Sequence, residues 1–306
     1  MTAIVDTLLR SVLPVALVFV MGYFVGRRGG FSQLDAASIF KFIAHFSAPA
    51  IIVNIIITTD VMSLDPALAG LYLISELIVY AAGFLVTRLW FGLNFKDALL
   101  CGLAASFANH VLFVYPIIQF AFDPVMSIPV RSIITIDIVI FILTVIILDT
   151  HQNPSASLLR AIAGQLSNPL LLALVLGVLI SLNPFGTPIA IIRCASFIAD
   201  AAAPCGLFAS GILIAGPISR TSLKLAAVIT GLKMLLHPIL GFIIIVLAGG
   251  YAIEIARTTL MVTVAPVGIM ALTFASRYNG ETNAIAQSIL WSFFFSVLLI
   301  PVFAII

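Results

Sequence analysis

Charge is scarce in this sequence. Only 8% of its 306 residues are charged, whereas 62% are hydrophobic. A soluble domain of ordinary composition carries roughly 25% charged residues, which cover its surface. A water-soluble globular fold is therefore excluded, and we expect lipid to surround the outer side chains. The net charge of +2 is too small to indicate a nucleic-acid partner.

The residues that metal and catalytic sites need are also few. The three cysteines, Cys101, Cys194 and Cys205, form no CxxC pair, so neither a metal site nor a disulfide framework is predicted. The histidines are scattered, and no HExxH or GxSxG motif is present. An intramembrane enzyme is therefore disfavoured, and we expect no metal and no cofactor. The sequence also lacks a P-loop, so any uphill transport must draw on an ion gradient or the membrane potential.

What the sequence has instead is a series of long apolar runs. A transmembrane helix needs about 20 such residues, and backbone in lipid must satisfy its own hydrogen bonds. The runs do not alternate between polar and apolar residues, which favours helices over a barrel. We predict an all-α polytopic membrane protein with ten transmembrane helices near residues 7–26, 40–59, 67–88, 97–120, 129–148, 167–183, 188–215, 224–248, 257–276 and 283–305.

Basic residues predict the orientation in the cell membrane, because they are enriched on the cytoplasmic side. One set of loops and helix ends holds nine of them: Arg27, Arg28, Lys41, Arg88, Lys96, Arg160, Arg220, Lys224 and Arg277. The opposite set holds three: Arg10, Arg131 and Arg257. We therefore expect both termini outside and the 149–160 loop in the cytoplasm.

The sequence resembles itself at an offset of 155 residues. FIAHFSAP at 42–49 returns as FIADAAAP at 197–204, and the same register pairs Pro14 with Pro169 and Gly22 with Gly177. Similar composition of apolar helices is the plain alternative, but one register relates all these positions. Each half, 1–150 and 151–306, holds five predicted spans. Because five is odd, the second half enters the membrane from the opposite side, as in the inverted repeats of secondary transporters.

Transporters of this plan bind substrate where two helices break near the membrane centre. Pro116 in the fourth span and Pro266 in the ninth lie mid-span in corresponding halves. A proline removes a backbone donor, and two facing breaks would expose half-helix N-termini, which attract anions. The alternative is that each proline only kinks its helix.

The same segments resemble the auxin efflux carrier family, which includes plant PIN carriers and bacterial malonate-type carriers. The resemblance rests on short motifs in a specific order: Asn109 seven residues before Pro116, Asn168-Pro169 with Gly177, Lys233 five residues before Pro238, Ala265-Pro266-x-Gly268-Ile269, and Phe274-Ala275-x-x-Tyr278-Asn279. It implies a scaffold domain from spans 1, 2, 6 and 7, often dimerising, and a transport domain from spans 3–5 and 8–10, with helices 4 and 9 crossed at Pro116 and Pro266. It also implies elevator-type alternating access, an anionic substrate and a homodimer formed through the scaffold helices.

Seven residues are candidates for substrate binding. Asn109 would donate from its amide to a carboxylate, although a helix–helix hydrogen bond would also explain it. The resemblance places Asn54 on the face that completes the site and gives Asn168 a substrate role beside its plain role as a helix cap. The full set is Asn54, Asn109, His110, Pro116, Asn168, Pro266 and Gly268.

Ionisable residues inside a membrane are costly and therefore candidates for function. Glu76 and Lys233 occupy nearly repeat-related positions, and we expect them to form an ion pair, as a clamp or as a coupling site. Asp137 would bind a cation or a proton, or hydrogen-bond to neighbouring hydroxyls. His110 would carry a proton or only pack.

The function that fits is secondary transport of a small organic anion, a carboxylate. Whether H⁺, Na⁺ or neither is coupled stays open. The alternatives are an uncoupled uniporter or a channel-like permease for a different small solute. Paired broken helices in an inverted repeat favour a carrier over a channel.

Overall fold

The computed structural model describes residues 2–60, 63–152, 164, 166–183, 186–216 and 222–306. In this part of the chain the regular elements are helices, and β pairing is limited to one bridge between Ala108 and Val267. In chain order the helices are α1 (Ala3–Arg27), α2 (Gln33–Thr58), α3 (Pro66–Trp90), α4 (Phe95–Ser106), α5 (His110–Ala121), α6 (Pro124–Gln152), α7 (Pro169–Ser181), α8 (Ile189–Ile214), α9 (Leu223–Ala248), α10 (Ile253–Thr263), α11 (Ile269–Arg277) and α12 (Thr282–Phe303).

Seven of these helices are long and apolar enough to cross a membrane: α1, α2, α3, α6, α8, α9 and α12. Two shorter apolar helices are α5 and α7. The prediction of an all-α polytopic membrane protein is thus confirmed. Ten spans in two inverted halves stay a prediction, although each predicted span has a helix, or a pair of half-helices, at its place in the chain.

The fifth span differs in length from its prediction. Helix α6 continues past residue 148 to Gln152, so the polar residues Asp149–Gln152 extend the helix instead of starting a loop. The rest of the predicted 149–160 loop, with Arg160, lies outside the described residues. Arg220 lies outside them as well.

Polar residues fix the helix starts. Ser32 and Asp35 form a reciprocal capping box at the start of α2. Asn94 accepts from the amide of Asp97 at 2.9 Å before α4, and Asp65 accepts from the amide of Leu68 at 2.9 Å before α3. Such side chains satisfy amides that have no intrahelical partner, which is why short polar connectors are sufficient to begin the apolar helices.

Four of the prolines that lie inside helices are preceded by a widened turn of the backbone. Proline has no amide hydrogen and clashes with the carbonyl four residues earlier. The backbone widens instead, so that the residue before each proline bonds five residues back; the amide of Tyr115, for example, donates to the carbonyl of His110. Each proline follows such a π-turn by two residues: Pro14 after Leu8–Val12, Pro49 after Ile43–Ser47, Pro116 after His110–Val114 and Pro238 after Leu232–Leu236.

Two groups of helices pack closely among themselves. Helix α1 lies against α8 so tightly that a Cβ atom on Gly22 would lie 2.0 Å from the carbonyl oxygen of Phe208. Helix α2 packs on α7 and α8, while α3 packs on α4 and α9 on α12. These pairings parallel the division into spans 1, 2, 6 and 7 on one side and spans 3–5 and 8–10 on the other, which stays a prediction.

Candidate functional site

Two broken helices meet at the centre of the site. Helix α4 ends at Ser106 and α5 begins at His110, whereas α10 ends at Thr263 and α11 begins at Ile269. The intervening segments run antiparallel and are hydrogen-bonded to each other. The amide of Asn109 donates to the carbonyl of Pro266 at 2.8 Å, and the amide of Gly268 donates to the carbonyl of Phe107 at 2.9 Å. Each break thus satisfies backbone groups that the other one exposes.

The crossing differs from the prediction at Pro116. That proline lies inside α5, where the π-turn accommodates it, and the break lies at Phe107–Asn109 instead. No proline is present in this segment, which is held extended by its bonds to the partner segment. Pro266 does lie within its break, as expected. Tertiary pairing, and not local proline chemistry, therefore sets the break in the fourth span.

Side chains from α12 support the second break. Ser292 accepts from the amide of Val267 at 2.9 Å. Ser296 donates to the carbonyl of Val264 at 2.7 Å. Both serines are fully buried, so they satisfy backbone groups where no water is expected. The sequence analysis did not find them, because isolated serines in an apolar helix carry no distinctive pattern.

A cavity of 440 Å³ opens directly at the crossing. Its wall includes the first turns of α5, with Asn109 and His110, and of α11, with Gly268 and Ile269. The first amides of a helix have no intrahelical partner, and the helix dipole places partial positive charge there. Two helix N-termini therefore face one cavity, which makes it suited to an anion.

An arginine adds a full positive charge to the same cavity. Arg277, in the last turn of α11, lines the wall and lies with its guanidinium carbon 5.4 Å from the ring centroid of Tyr278. A guanidinium binds carboxylates in a bidentate fashion. Sequence reasoning used Arg277 only for orientation, although its place nine residues after Gly268, on the same short helix, was a usable signal. His45 of α2 also lines the cavity.

The predicted binding residues divide between the cavity and its surroundings. Asn109, His110, Asn168 and Gly268 line the cavity. Asn168 also caps α7, where its Oδ1 accepts from the amide of Leu170 at 3.0 Å. Both roles weighed for Asn168 from the sequence are thus compatible with its position.

Asn54 does not line the cavity. Its Oδ1 accepts from the hydroxyl of Ser196 at 3.3 Å, which joins α2 to α8. Its side chain lies between α2 and α8, where the Ser196 hydroxyl offers it a hydrogen-bond partner. That the face of α2 carrying Asn54 completes the site stays a prediction.

The predicted Glu76–Lys233 ion pair is not formed. Lys233 is fully buried, and its ammonium donates to the carbonyl of Ser106 at 3.0 Å and to Nδ1 of His237 at 2.9 Å. Ser106 ends α4, so its carbonyl has lost its helical partner and lies at the negative end of the helix dipole. Lys233 is thus held by the half-helix end instead of by Glu76.

Asp137 contacts a residue of the crossing. Its Oδ2 lies 3.4 Å from Nε2 of His110, and both side chains are 2% exposed. The Nδ1 of His110 lies 2.9 Å from the carbonyl of Ala108. A carbonyl only accepts, so Nδ1 carries a hydrogen and Nε2 is directed at Asp137. A titratable pair is therefore present in the cavity wall.

On the far side of the cavity, one arginine ties the two helix groups together. The cavity is lined by α2 residues from Phe40 to Ile52, along the middle of that helix. Beyond them, at the C-terminal end of α2, Arg131 of α6 donates to the hydroxyls of Thr59 at 3.1 Å and Thr58 at 3.4 Å. This polar tie closes the boundary between α2 and α6 at that end.

Broken helices that cross inside an apolar bundle, with their N-termini on a shared cavity, are the organisation of membrane carriers. The fold and the site together define a membrane transporter. The chain belongs to the family described as "Membrane transport protein", which it matches over residues 7–304. The predicted resemblance to the auxin efflux carriers is thereby confirmed.

Curated relatives cover nearly the same length. A "Putative malonate transporter" of Rhizobium meliloti (strain 1021) is 21% identical over 307 residues, which cover 94% of this chain and 91% of its own. An "Uncharacterized transporter YfdV" of Escherichia coli (strain K12) is 25% identical over 289 residues, 89% of each chain. Among solved structures, the sodium proton antiporter MjNhaP1 of Methanocaldococcus jannaschii is similar in fold, with a TM-score of 0.55 at 16% identity over 98% of this chain and 94% of its own.

Proposed function

We propose that the protein is a secondary transporter for a small organic anion with at least one carboxylate. The observation that carries this proposal is the shared cavity at the N-termini of α5 and α11, with Arg277 in its wall. Helix N-termini and a guanidinium both favour negative charge. The relative named as a malonate transporter supports a carboxylate and makes malonate the first probe.

The amide groups and Arg277 would bind different parts of the anion. The first turns of α5 and α11 offer backbone donors, and the Asn109 amide adds a side-chain donor. Arg277 would hold a second charged or polar end of the anion through its planar fork. Hydrophobic side chains such as Ile138 and Phe274 complete the wall and limit the size of the ligand.

Alternating access would follow an elevator movement within a ten-span, five-plus-five inverted repeat. In this mechanism α3–α6 and α9–α12, with the crossing, move as one body against a scaffold of α1, α2, α7 and α8. The tie between Arg131 and Thr59 would hold the state in which the cavity opens beside Ser167 and Asn168, at the start of α7. The predicted orientation makes that end cytoplasmic.

Counterflow of malonate tests the transport proposal. Proteoliposomes loaded with unlabelled malonate should take up labelled malonate faster than unloaded ones, because exchange needs no net movement of charge or coupled ion. A channel gives no such stimulation. Liposomes without protein serve as the control, and equal uptake into loaded and unloaded proteoliposomes would contradict a carrier.

A reversible cross-link across the tie tests the elevator movement. In a background without Cys101, Cys194 and Cys205, Arg131→Cys with Thr59→Cys, joined by a bifunctional thiol reagent with a reducible spacer, should lose counterflow and regain it on reduction. The two single-cysteine variants are the matched controls. Counterflow that continues in the cross-linked double variant would contradict relative movement of α2 and α6.

Two further proposals concern the oligomeric state of the protein and its orientation in the membrane. The scaffold exposes apolar side chains such as Phe197 on α8, which is 82% exposed in the single chain, and we place a homodimer contact on the scaffold helices. Cross-linking at α7 and α8 in native membranes, against α3 as control, tests this contact.

The orientation proposal places both termini outside the cell. Terminal reporter tags that are accessible only from the cytoplasm would contradict it.

A further inference from the structure

A group of ionisable side chains lies buried beside the cavity, between α3, α6 and α9. Glu76 and Lys233 are 0% exposed and Asp137 is 2% exposed, and their charges act on one another. Two carboxyl groups share the space with one ammonium. The group therefore has an excess negative charge unless it also holds a proton. A buried charge without a partner is strongly destabilising.

The hydrogen-bonding capacity of the two carboxyl groups is not met by neighbouring donors. Neither Glu76 nor Asp137 accepts a hydrogen bond from a described group. They lie on α3 and α6, which pack against each other, and are close enough for their charges to interact. Two carboxylates that share a site hold one proton between them, because both cannot be ionised at low cost. The geometry thus favours one shared proton.

The neighbouring described groups do not donate a hydrogen bond to this pair. Lys233 directs its ammonium at the Ser106 carbonyl and at Nδ1 of His237. The other titratable groups around the pair are Tyr72 on α3, His237 on α9 and His110 on α5. The Tyr72 ring lies 5.7 Å from the His237 ring, and its hydroxyl has no described partner.

His110 connects this group to the cavity. It lines the cavity, and its Nε2 lies 3.4 Å from Oδ2 of Asp137. Since Nδ1 already donates to a carbonyl, an attractive contact between Nε2 and Oδ2 needs one more hydrogen on either atom. Asp137 itself also lines the cavity, so a proton from the cavity can bind to its carboxyl group directly or charge the neighbouring imidazole.

We propose that Glu76 and Asp137 share one exchangeable proton, which crosses the membrane together with the anion. This inference rests on the proposed function, since the proton moves only with a transported anion. On one side a carboxylate binds H⁺ and becomes a carboxylic acid, and on the other side the acid releases H⁺; no other bond changes. A bound anion favours the protonated state, because its negative charge lies next to His110, and the neutral pair lowers the cost of moving the loaded site through the membrane.

Infrared difference spectroscopy tests the proton without any transport. The purified protein in lipid, at neutral pH and without sodium, should show the C=O stretch of a protonated carboxylic acid. Glu76→Gln should remove this band, because the Gln amide then donates to Asp137 and leaves it ionised. Glu254→Gln, at an exposed position in the first turn of α10, should keep it. A spectrum without the band, or one that keeps it in Glu76→Gln, would overturn the proposal.

Malonate uptake driven by a pH gradient tests the coupling. With the membrane potential clamped at zero and no sodium, an interior one pH unit more alkaline should accumulate malonate about tenfold for one H⁺ per anion. Glu76→Gln should lose this accumulation and Glu254→Gln should keep it. A cooperative thermal unfolding transition reports that the Glu76→Gln variant is folded.

The two experiments separate the possible failures. Counterflow without accumulation in the unmodified protein would overturn proton coupling and leave the proposed transport intact. Absence of counterflow with malonate would contradict the proposed function for this anion, while the infrared band still decides whether the carboxyl pair holds a proton.

Discussion

The amide of Asn109 donates a hydrogen bond to the carbonyl of Pro266 over 2.8 Å, and this bond joins the two broken helices at the point where the cavity begins. Its counterpart runs from Gly268 to Phe107 over 2.9 Å. The pair of bonds holds two helix N-termini at one cavity. Anything that separates the two segments should therefore damage binding and stability together.

Gly268 is the position where this can be tested with one methyl group. A Cβ atom there would lie 2.5 Å from Cδ1 of Phe107 and 3.2 Å from its carbonyl oxygen. Gly268→Ala should destabilise the protein by about 1–3 kcal/mol through overpacking and reduce malonate counterflow. Thermal unfolding and counterflow are the measurements.

Gly70→Ala is the matched control, because nothing lies within 4 Å of a Cβ atom at that position of α3. It should leave unfolding unchanged or raise stability slightly, since alanine favours a helix. If both variants behaved alike, the close contact at the crossing would not matter.

Lys233 should contribute strongly to the stability of the folded protein, although it forms no ion pair with Glu76. Lys233→Met leaves the Ser106 carbonyl and two carboxyl groups without their cation, which should cost on the order of 3–5 kcal/mol. Adding Glu76→Gln should recover part of the loss, because it removes one of the negative charges. The double variant should therefore melt above Lys233→Met and below the unmodified protein. A double variant that is less stable than Lys233→Met would contradict this prediction.

The Arg131 tie should bias the conformational equilibrium. Arg131→Gln weakens its contacts with Thr58 and Thr59, and a loss of about 1–2 kcal/mol changes a population ratio roughly 5- to 30-fold. A cysteine introduced at Ser167, in the cavity wall, should then react more slowly with a thiol reagent. Arg10→Gln removes an exposed pair with Asp6 and should not change the labelling rate.

Tyr278 offers a test outside the membrane-spanning helices. Its hydroxyl donates to Asp149 at 2.6 Å, and burial, followed by this carboxylate, raises the pKa of Tyr278 above its ordinary value of 10.0. Since the folded state holds the proton more tightly, the stabilisation is complete below pH 10 and is lost as the pH rises through the folded-state pKa.

Tyr278→Phe should therefore cost about 1.5 kcal/mol at neutral pH, and the difference from the unmodified protein should shrink in alkaline solution. Urea unfolding at several pH values measures it. A difference that stays constant above pH 10 would show that the hydroxyl contact does not titrate as described.

The sequence was informative where local chemistry decides the structure. Apolar length predicted the helices, although α2 begins at Gln33, behind the Ser32 cap, instead of near residue 40. Pro266 indicated a break that does occur. Pro116 indicated one that does not, because a π-turn absorbs a proline without ending a helix.

Long-range pairing explains what the sequence did not reveal. The break at Phe107–Asn109 depends on a partner segment in the other half of the chain, and no residue in it is a helix breaker. The partner of Lys233 is likewise a carbonyl that becomes available only because α4 ends at Ser106. The sequence suggested Glu76 as the partner of Lys233, because the two residues have opposite charges at nearly repeat-related positions. Side-chain types alone do not show which backbone carbonyls lack a hydrogen-bond partner in the folded protein.

The most direct test of the anion site is malonate binding to Arg277→Gln by calorimetry. Loss of a hydrogen-bonded charge should cost about 1.5–3 kcal/mol, so binding should weaken by at least about tenfold. Lys224→Gln removes one positive charge at the start of α9, away from the cavity wall, and should bind malonate as the unmodified protein does. Equal affinity in the unmodified protein and Arg277→Gln would contradict an anion held between the crossed helices and Arg277.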